Sequence, residues 1–293
     1  MIVLNNISKH FGSHPVLRGV SLTVEPGQSV ALWGANGAGK TTIIRCICGL
    51  YDYGGSIRVG SFDARAQPKQ ARQCLGYVPQ SCGLSDDLRV AEAVRFFATL
   101  RGVTEVDVKA SLSQVGLLAH AAKSVGQLSG GMKQRLALAI AQIGAPPVLL
   151  LDEVTANLDA TGRREMIDLL SDRAGKLHRT LLFASHRLDE IAALASRVVV
   201  LEAGVVAKDL TVAAFLASQA PDLVLHLFMN RDDALQAIPL LTTHGFSPRI
   251  NGRGIFVPVR SGDRIGPIRL LQQKNLEVND FEVLDTHPST DLA

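Results

Sequence analysis

The stretch Ser29-Val30-Ala31-Leu32-Trp33-Gly34-Ala35-Asn36-Gly37-Ala38-Gly39-Lys40-Thr41-Thr42 decides the fold. Its first five residues are a short apolar run of the kind that forms a buried strand. Gly34 to Thr41 then fit the phosphate-binding P-loop pattern at every fixed position. From Lys40 to Leu50 the apolar residues Ile43, Ile44, Ile47 and Leu50 share one helical face. Strand, glycine-rich turn and helix in that order is the setting this motif requires. Gly37 and Gly39 let the backbone wrap close to a β-phosphate, where a Cβ would clash. Lys40 supplies a point charge to the β and γ oxygens, and the Thr41 hydroxyl is placed to ligate Mg²⁺. The helix beginning near Lys40 adds its positive end.

Further along, Val148-Leu149-Leu150-Leu151 has no polar face, which marks a strand buried on both sides in a parallel sheet. It ends in Asp152-Glu153, and ligands of such sheets bind beyond the carboxyl ends of the strands. Asp152 is therefore expected to hold Mg²⁺ through water, and Glu153 to polarise an attacking water as general base. Thr180 to Ala184 and Arg197 to Leu201 repeat the buried-strand character. Short strands are also expected at Ile2–Leu4, Leu22–Val24, Ser56–Val59 and Gly76–Pro79. Between Leu84 and Ala122 the spacing of Val94, Phe97, Ala98 and Arg101, and of Val108, Leu112, Val115 and Leu118, is helical. Met132–Ile143 is expected as a helix ended by Gly144-Ala145-Pro146-Pro147. Strands alternating with helices argue for a mostly parallel sheet.

The pattern resets around Gln219-Ala220-Pro221-Asp222. Val224–Phe228 reads as a strand and Asp232–Thr243 as a helix. Phe246–Ile250 and Ile255–Val259 flank Asn251-Gly252-Arg253-Gly254, a strong hairpin signal. Arg264–Gln273 reads as a helix and Glu277–Leu284 as a strand. The order strand, helix, strand, strand, helix, strand is the split βαβ, ferredoxin-like arrangement. A disordered tail is expected over 286–293.

The 293 residues suffice for one large and one small domain, and 47% hydrophobic content supports a substantial core. A net charge of +3 gives neither a nucleic-acid stripe nor a funnel for acidic substrates. No 18-residue uncharged apolar run is present, and Met1–Asn6 lacks the basic start of a signal peptide. A location in the cytosol is expected. Cys46, Cys48, Cys74 and Cys82 form no zinc-ligand spacing and read as reduced, largely buried thiols.

A second signal makes the motif specific. Leu128-Ser129-Gly130-Gly131-Met132-Lys133-Gln134 resembles the signature of ATP-binding-cassette (ABC) nucleotide-binding domains, the feature that separates them from other P-loop ATPases. Gln80 resembles the Q-loop glutamine, Ala156-Asn157-Leu158-Asp159 the D-loop, His186 the switch histidine and Phe11 the aromatic that stacks on adenine. The resemblance covers about residues 1–215, with every motif in order, and within the family it is similar to the ABC-2 exporter type. It implies an α/β P-loop NTPase core with a mostly parallel sheet, an antiparallel β subdomain and a helical subdomain at about 84–143. The small C-terminal α+β (ferredoxin-like) domain, 222–285, would follow as an accessory or dimerisation module.

The resemblance also implies an ATPase using ATP and Mg²⁺. Glu153, His186 and Gln80 would be catalytic. Thr41, Gln80 and Asp152 would serve the metal. Phe11, Gly34, Ala35, Asn36, Gly37, Ala38, Gly39, Lys40, Thr41, Thr42, Ser129, Gly130, Gly131 and Asp159 would contact nucleotide. Ser129–Gly131 head a helix and so offer a second anion site, which the family arrangement sets against the ATP of a second copy. Expected partners are that second copy and integral membrane permease subunits on separate chains, with the protein peripheral on the cytoplasmic side of the inner membrane. No nucleic-acid partner is expected. Two departures from the family pattern stand out: Val154 replaces a proline and Asn157 a smaller residue. The competing reading is a soluble ABC ATPase acting on nucleic acid or ribosomes; it lacks support from any coiled-coil insertion between Gln80 and Ser129 or from a second cassette.

Overall fold

The computed structural model describes residues 1–177, 179–219, 223–260, 263–274 and 276–285. The tail expected at 286–293 and part of the reset at 220–222 lie outside the described residues. The chain forms two compact units, Met1–Ala214 and Phe215–Ala293.

In the first unit a six-stranded sheet runs in the order β10-β9-β3-β8-β7-β6. Its strands are β3 (Ser29–Trp33), β6 (Leu75–Val78), β7 (Val148–Asp152), β8 (Thr180–Ala184), β9 (Arg197–Glu202) and β10 (Val205–Thr211). Every neighbouring pair is parallel except β10–β9. β7 and β8 are buried at every position, as the apolar runs require of strands covered on both faces. The parallel register sets Asp152 beside Ala184, so the loops following these two strands leave the sheet side by side.

A second, four-stranded antiparallel sheet has the order β2-β1-β4-β5. It comprises β1 (Ile2–Phe11), β2 (His14–Val24), β4 (Gly54–Val59) and β5 (Phe62–Asp63). The first two strands are far longer than the sequence pattern suggests. Their alternation is interrupted by register shifts, one of them between Leu4 and Ile7, where Asn6 adopts φ +52°. A bulge of this kind resets the two-residue period, so the polar run Asn5–His10 does not read as strand. Ile2, Leu4, Ile7, Val20 and Leu22 still face inward, into a core shared with Ile43, Ile44, Ile47, Ile57 and Leu150.

Among the described residues seven α-helices accompany these sheets before residue 200: α1 (Lys40–Ile47), α2 (Pro68–Gln73), α3 (Val90–Leu100), α4 (Val108–Ser113), α5 (Gly130–Ala141), α6 (Ala160–Leu177) and α7 (Leu188–Leu194). Asp107 caps α4 by accepting from the Ala110 amide at 2.9 Å. The apolar spacing continues to Leu118, but the helix stops at Ser113. Gly116 takes φ +69° and the Leu117 amide reaches back to the Leu112 carbonyl at 2.8 Å, a left-handed C-terminal closure. α5 starts two residues before the position expected from its apolar spacing, because Ser129 caps it from outside the run, its Oγ accepting from the Met132 amide at 3.3 Å.

α8 (Val212–Gln219) leads into the second unit, made of β11 (Leu223–Phe228), α9 (Arg231–Thr243), β12 (Arg249–Asn251), β13 (Gly254–Val259), α10 (Gly266–Gln272) and β14 (Asp280–Asp285). Its sheet order is β12-β13-β11-β14 with every neighbour antiparallel, the split βαβ topology. Alternate residues Leu223, Leu225, Leu227 and Ile255, Val257, Val259 meet Ala237, Leu241 and Leu271 from the helices. Burying each of these leucines or isoleucines stabilises the unit by about 1.5–3 kcal/mol. Among the described residues no helix is long and apolar enough to cross a membrane.

Candidate functional site

The turn from β3 into α1 is held open by its glycines. Gly39 sits at φ +104° as the N-cap of α1, and a Cβ there would lie 2.6 Å from Leu17 Cδ2. Lys40 follows, almost wholly buried, and its Nζ donates to the carbonyls of Gly34 at 2.8 Å and Ala35 at 3.2 Å. The turn is thereby closed around the ammonium, which also lies 3.7 Å from Glu153 Oε1.

The next residue, Thr41, donates its hydroxyl to Asp152 Oδ1 at 2.7 Å. Asp152 is 0% exposed at the end of β7, and Tyr77 from β6 donates to its other oxygen at 3.4 Å. Burial pushes the Asp152 carboxyl above the ordinary carboxylate range, against the opposing pull of the Thr41 hydrogen bond and the Arg45 charge. The Tyr77 phenol is pushed up to about 12, first by burial and then by the Asp152 charge beside it.

Glu153 sits in the left-handed region at φ +48°. A non-glycine residue there carries on the order of 1–3 kcal/mol of strain and persists only where its surroundings fix it. Here its amide donates to the Ala184 carbonyl at 3.2 Å, and Gln80 Nε2 donates to its Oε2 at 3.2 Å. His186 Nδ1 lies 3.8 Å from Oε1. Three separate segments thus converge on the one carboxylate at the end of β7: the P-loop lysine, the loop after β6 and the loop after β8.

Lys40, Thr41, Gln80 and Glu153 border a cleft of about 570 Å³ that Asn36, Gly37, Gly39 and Thr42 also line; Asp152 and His186 stand outside its lining. His14 and Val16 from the start of β2 complete it. The sequence reading passed over both, because the bulged ribbon that delivers them gives no clean alternation. Phe11, at the tip of the same ribbon, is 45% exposed and meets Tyr51 edge-on at 5.2 Å between ring centroids, with the Lys9 ammonium 5.1 Å from its centroid.

Ser129, Gly130, Gly131 and Asp159 do not line this cleft. Ser129 and Gly130 are exposed at the head of α5. Asp159 is exposed too, its Oδ1 accepting from the Gly162 amide at 2.8 Å where α6 begins. The two segments are neighbours, since a Cβ on Gly131 would touch Leu158 Cδ2 at 3.5 Å. Gln134, buried in α5, donates to the Pro79 carbonyl at 2.8 Å, tying the head of this helix to the loop that carries Gln80. No spacing rule in the sequence indicates that tie. Val154 is buried and Asn157 exposed.

The chain is similar to proteins of one known family. A family model described as "ABC transporter" matches residues 17–156. The methionine import ATP-binding protein MetN of Caulobacter vibrioides is 34% identical over 270 residues, 88% of this chain and 81% of that protein. The Nod factor export ATP-binding protein I of Burkholderia lata is 36% identical over 208 residues, 69% of this chain and 68% of that one. Among solved structures, a dimeric post-hydrolysis state of the ATP-binding cassette MJ0796, bound to ADP and Pi, superposes with a TM-score of 0.66 at 24% identity, over 72% of this chain and 99% of that one. That likeness establishes the fold.

Proposed function

The chain belongs to the ABC transporter family as an ATP-binding, ATP-hydrolysing subunit, and we propose from that premise what each group in its cleft does. The observation that carries the proposal is the convergence of Lys40, Gln80, Glu153 and His186 on one point beside the Thr41–Asp152 pair. On nucleotide binding, Lys40 Nζ exchanges a backbone carbonyl for the β and γ oxygens of ATP. The amides of Gly37–Thr41 and the N-terminal end of α1 take the remaining phosphate charge. Glu153 orients a water against the γ-phosphorus and accepts its proton at a carboxylate oxygen. Gln80 holds that carboxylate, and His186 donates toward the γ-phosphate from the other side. Phe11 stacks on the adenine ring.

Thr41 and Asp152 fit Mg²⁺. A hydroxyl, a buried carboxylate and the nearby Gln80 amide are hard oxygen donors, and a cation beside Asp152 would oppose the burial that raises its carboxyl. Held by Thr41 and Asp152, such an ion would supply positive charge to the triphosphate as negative charge builds during hydrolysis.

Ser129, Gly130, Gly131 and Asp159 lie outside the cleft of their own chain, and we assign them to the nucleotide of a second copy. Two ATP molecules would then join a head-to-tail pair, and hydrolysis would release it. The apolar side chains Phe96 and Leu100 on α3, 50% and 65% exposed, fit a separate membrane-embedded permease subunit, which would hold this protein to the cytoplasmic side of the membrane. Residues 222–285 would serve as an accessory dimerisation module. We assign the system to export. The Nod factor export relative matches the cassette at 36% identity; the importer MetN matches at 34% over 88% of the chain, and the vesicle assay below decides between them.

The test is mass in solution by light scattering. With Glu153→Gln and Mg·ATP the mass doubles. Ser129→Arg on that background keeps it at one chain while ATP still binds. A variant that cannot bind ATP as a monomer would refute the assignment of Ser129 to the partner's nucleotide. ATP-driven uptake by inverted vesicles carrying the permease supports export, and uptake by right-side-out vesicles overturns it.

A further inference from the structure

One buried charge in the first unit takes no part in the cleft. Glu190, on the first turn of α7, is 3% exposed. Its Oε1 accepts a hydrogen bond from the Thr155 hydroxyl, and its Oε2 accepts from the Ser185 hydroxyl at 2.8 Å. Both donors are themselves buried, at 2% and 1% exposure. Arg187 Nε stands 3.9 Å from the carboxylate, which offsets part of the charge. The Ser185 oxygen also accepts from the Arg187 amide at 3.0 Å, so the turn that carries His186 is fixed on both sides.

The placement of the two donors gives the arrangement its meaning. Thr155 lies two residues after Glu153 and Ser185 one residue before His186. Each opens a loop at the carboxyl end of neighbouring parallel strands. Glu153 needs its surroundings to hold a positive φ. A turn closes behind it, with Ala156 N donating to Glu153 O at 3.1 Å and Leu158 N to Thr155 O at 3.0 Å. The Thr155 side chain pins that turn to Glu190, and the same carboxylate pins the histidine loop.

We infer that Glu190 is a positioning residue for ATP hydrolysis: a buried carboxylate that clamps the Glu153 loop to the His186 loop and so sets the distance between these two groups. The inference rests on the roles proposed above for Glu153 and His186. Glu190 does not line the cleft, so its effect falls on the chemical step. A misplacement of about 1 Å can cost on the order of 10²-fold in rate. ATP affinity, set by the P-loop, is untouched.

The test compares kcat and KM for Mg·ATP hydrolysis, with ATP dissociation constants and melting temperatures as controls. Glu190→Ala is expected to lower kcat by roughly 10- to 100-fold with ATP affinity within about threefold. Glu190→Gln, which keeps an acceptor and lets the second hydroxyl rotate, recovers most of that loss. Thr155→Val lowers kcat in the same sense, and combined with Glu190→Ala it adds little, since neighbours in one network are non-additive. The inference is overturned if folded Glu190→Ala turns over within about twofold of the parent, if ATP affinity falls in step with kcat, or if glutamine is as damaging as alanine. Should Glu190→Ala fail to fold, Thr155→Val and Ser185→Ala decide the matter by the same split. Glu153→Gln is measured alongside. If it retains turnover, the reading of the site itself fails; if it is inactive while Glu190→Ala is normal, only the clamp fails.

Discussion

Replacing Glu153 by glutamine tests the chemistry most directly. The amide keeps the volume of the side chain, an oxygen for the Gln80 hydrogen bond, now 3.2 Å, and the backbone contact to Ala184. It loses the ability to take a proton. General-base catalysis contributes about 10²–10⁴-fold, which at 1.36 kcal/mol per tenfold is a barrier increase of about 3–5 kcal/mol. Binding moves the other way. At 3.7 Å from Lys40 the carboxylate attracts the ammonium by about 4 kcal/mol gross at an effective dielectric near 20, much of it offset by desolvation. It also repels the γ-phosphate. Glutamine removes both competitions, so ATP affinity should stay level or rise. Phosphate release under saturating Mg·ATP measures the rate, and calorimetric titration of the same variant measures affinity. Turnover within about tenfold of the parent would remove Glu153 as the base. A large loss of affinity would mean the carboxylate organises the pocket and that the argument from charge competition is wrong.

Lys40→Ala should weaken ATP binding by roughly 10- to 100-fold, the worth of a charge-assisted hydrogen bond of about 1.5–3 kcal/mol; unchanged affinity in an equilibrium titration would contradict the phosphate site. Asp152 gives a pH signature. Its folded-state carboxyl lies above the ordinary range, so its stabilising contribution is present below the ordinary carboxylate pKa and is lost as pH rises through the raised folded value. In metal-free buffer the melting temperature of Asp152→Asn should therefore gain on that of the parent, by a few degrees for each kcal/mol, between acid and neutral pH. The Mg·ATP-dependent rise in melting temperature should disappear in the same variant. A parent-minus-variant difference independent of pH would refute the burial argument.

The sequence by itself carried whatever depends on neighbours along the chain. Gly34–Thr42 shows its turn because strand, glycines and helix are contiguous. Val148–Asp152 and Thr180–Ala184 show burial on both faces because no polar residue interrupts them. The order of strands and helices after residue 222 already spelled the antiparallel topology found there. The long β1–β2 ribbon was largely invisible, since a bulge at Asn6 breaks the two-residue period from which a strand is read, and with it went His14 and Val16 in the cleft. α6 was missed as well, its apolar face being weak beside its many charges. The tertiary structure alone decided which distant groups meet. Gln80, Glu153 and His186 are separated by dozens of residues, yet converge because β6, β7 and β8 lie parallel and release their loops at one edge. Glu190 between Thr155 and Ser185, and Gln134 beneath Pro79, belong to the same class. A single buried polar side chain has no periodicity to announce it, and its partners exist only once the sheet has brought two loops together.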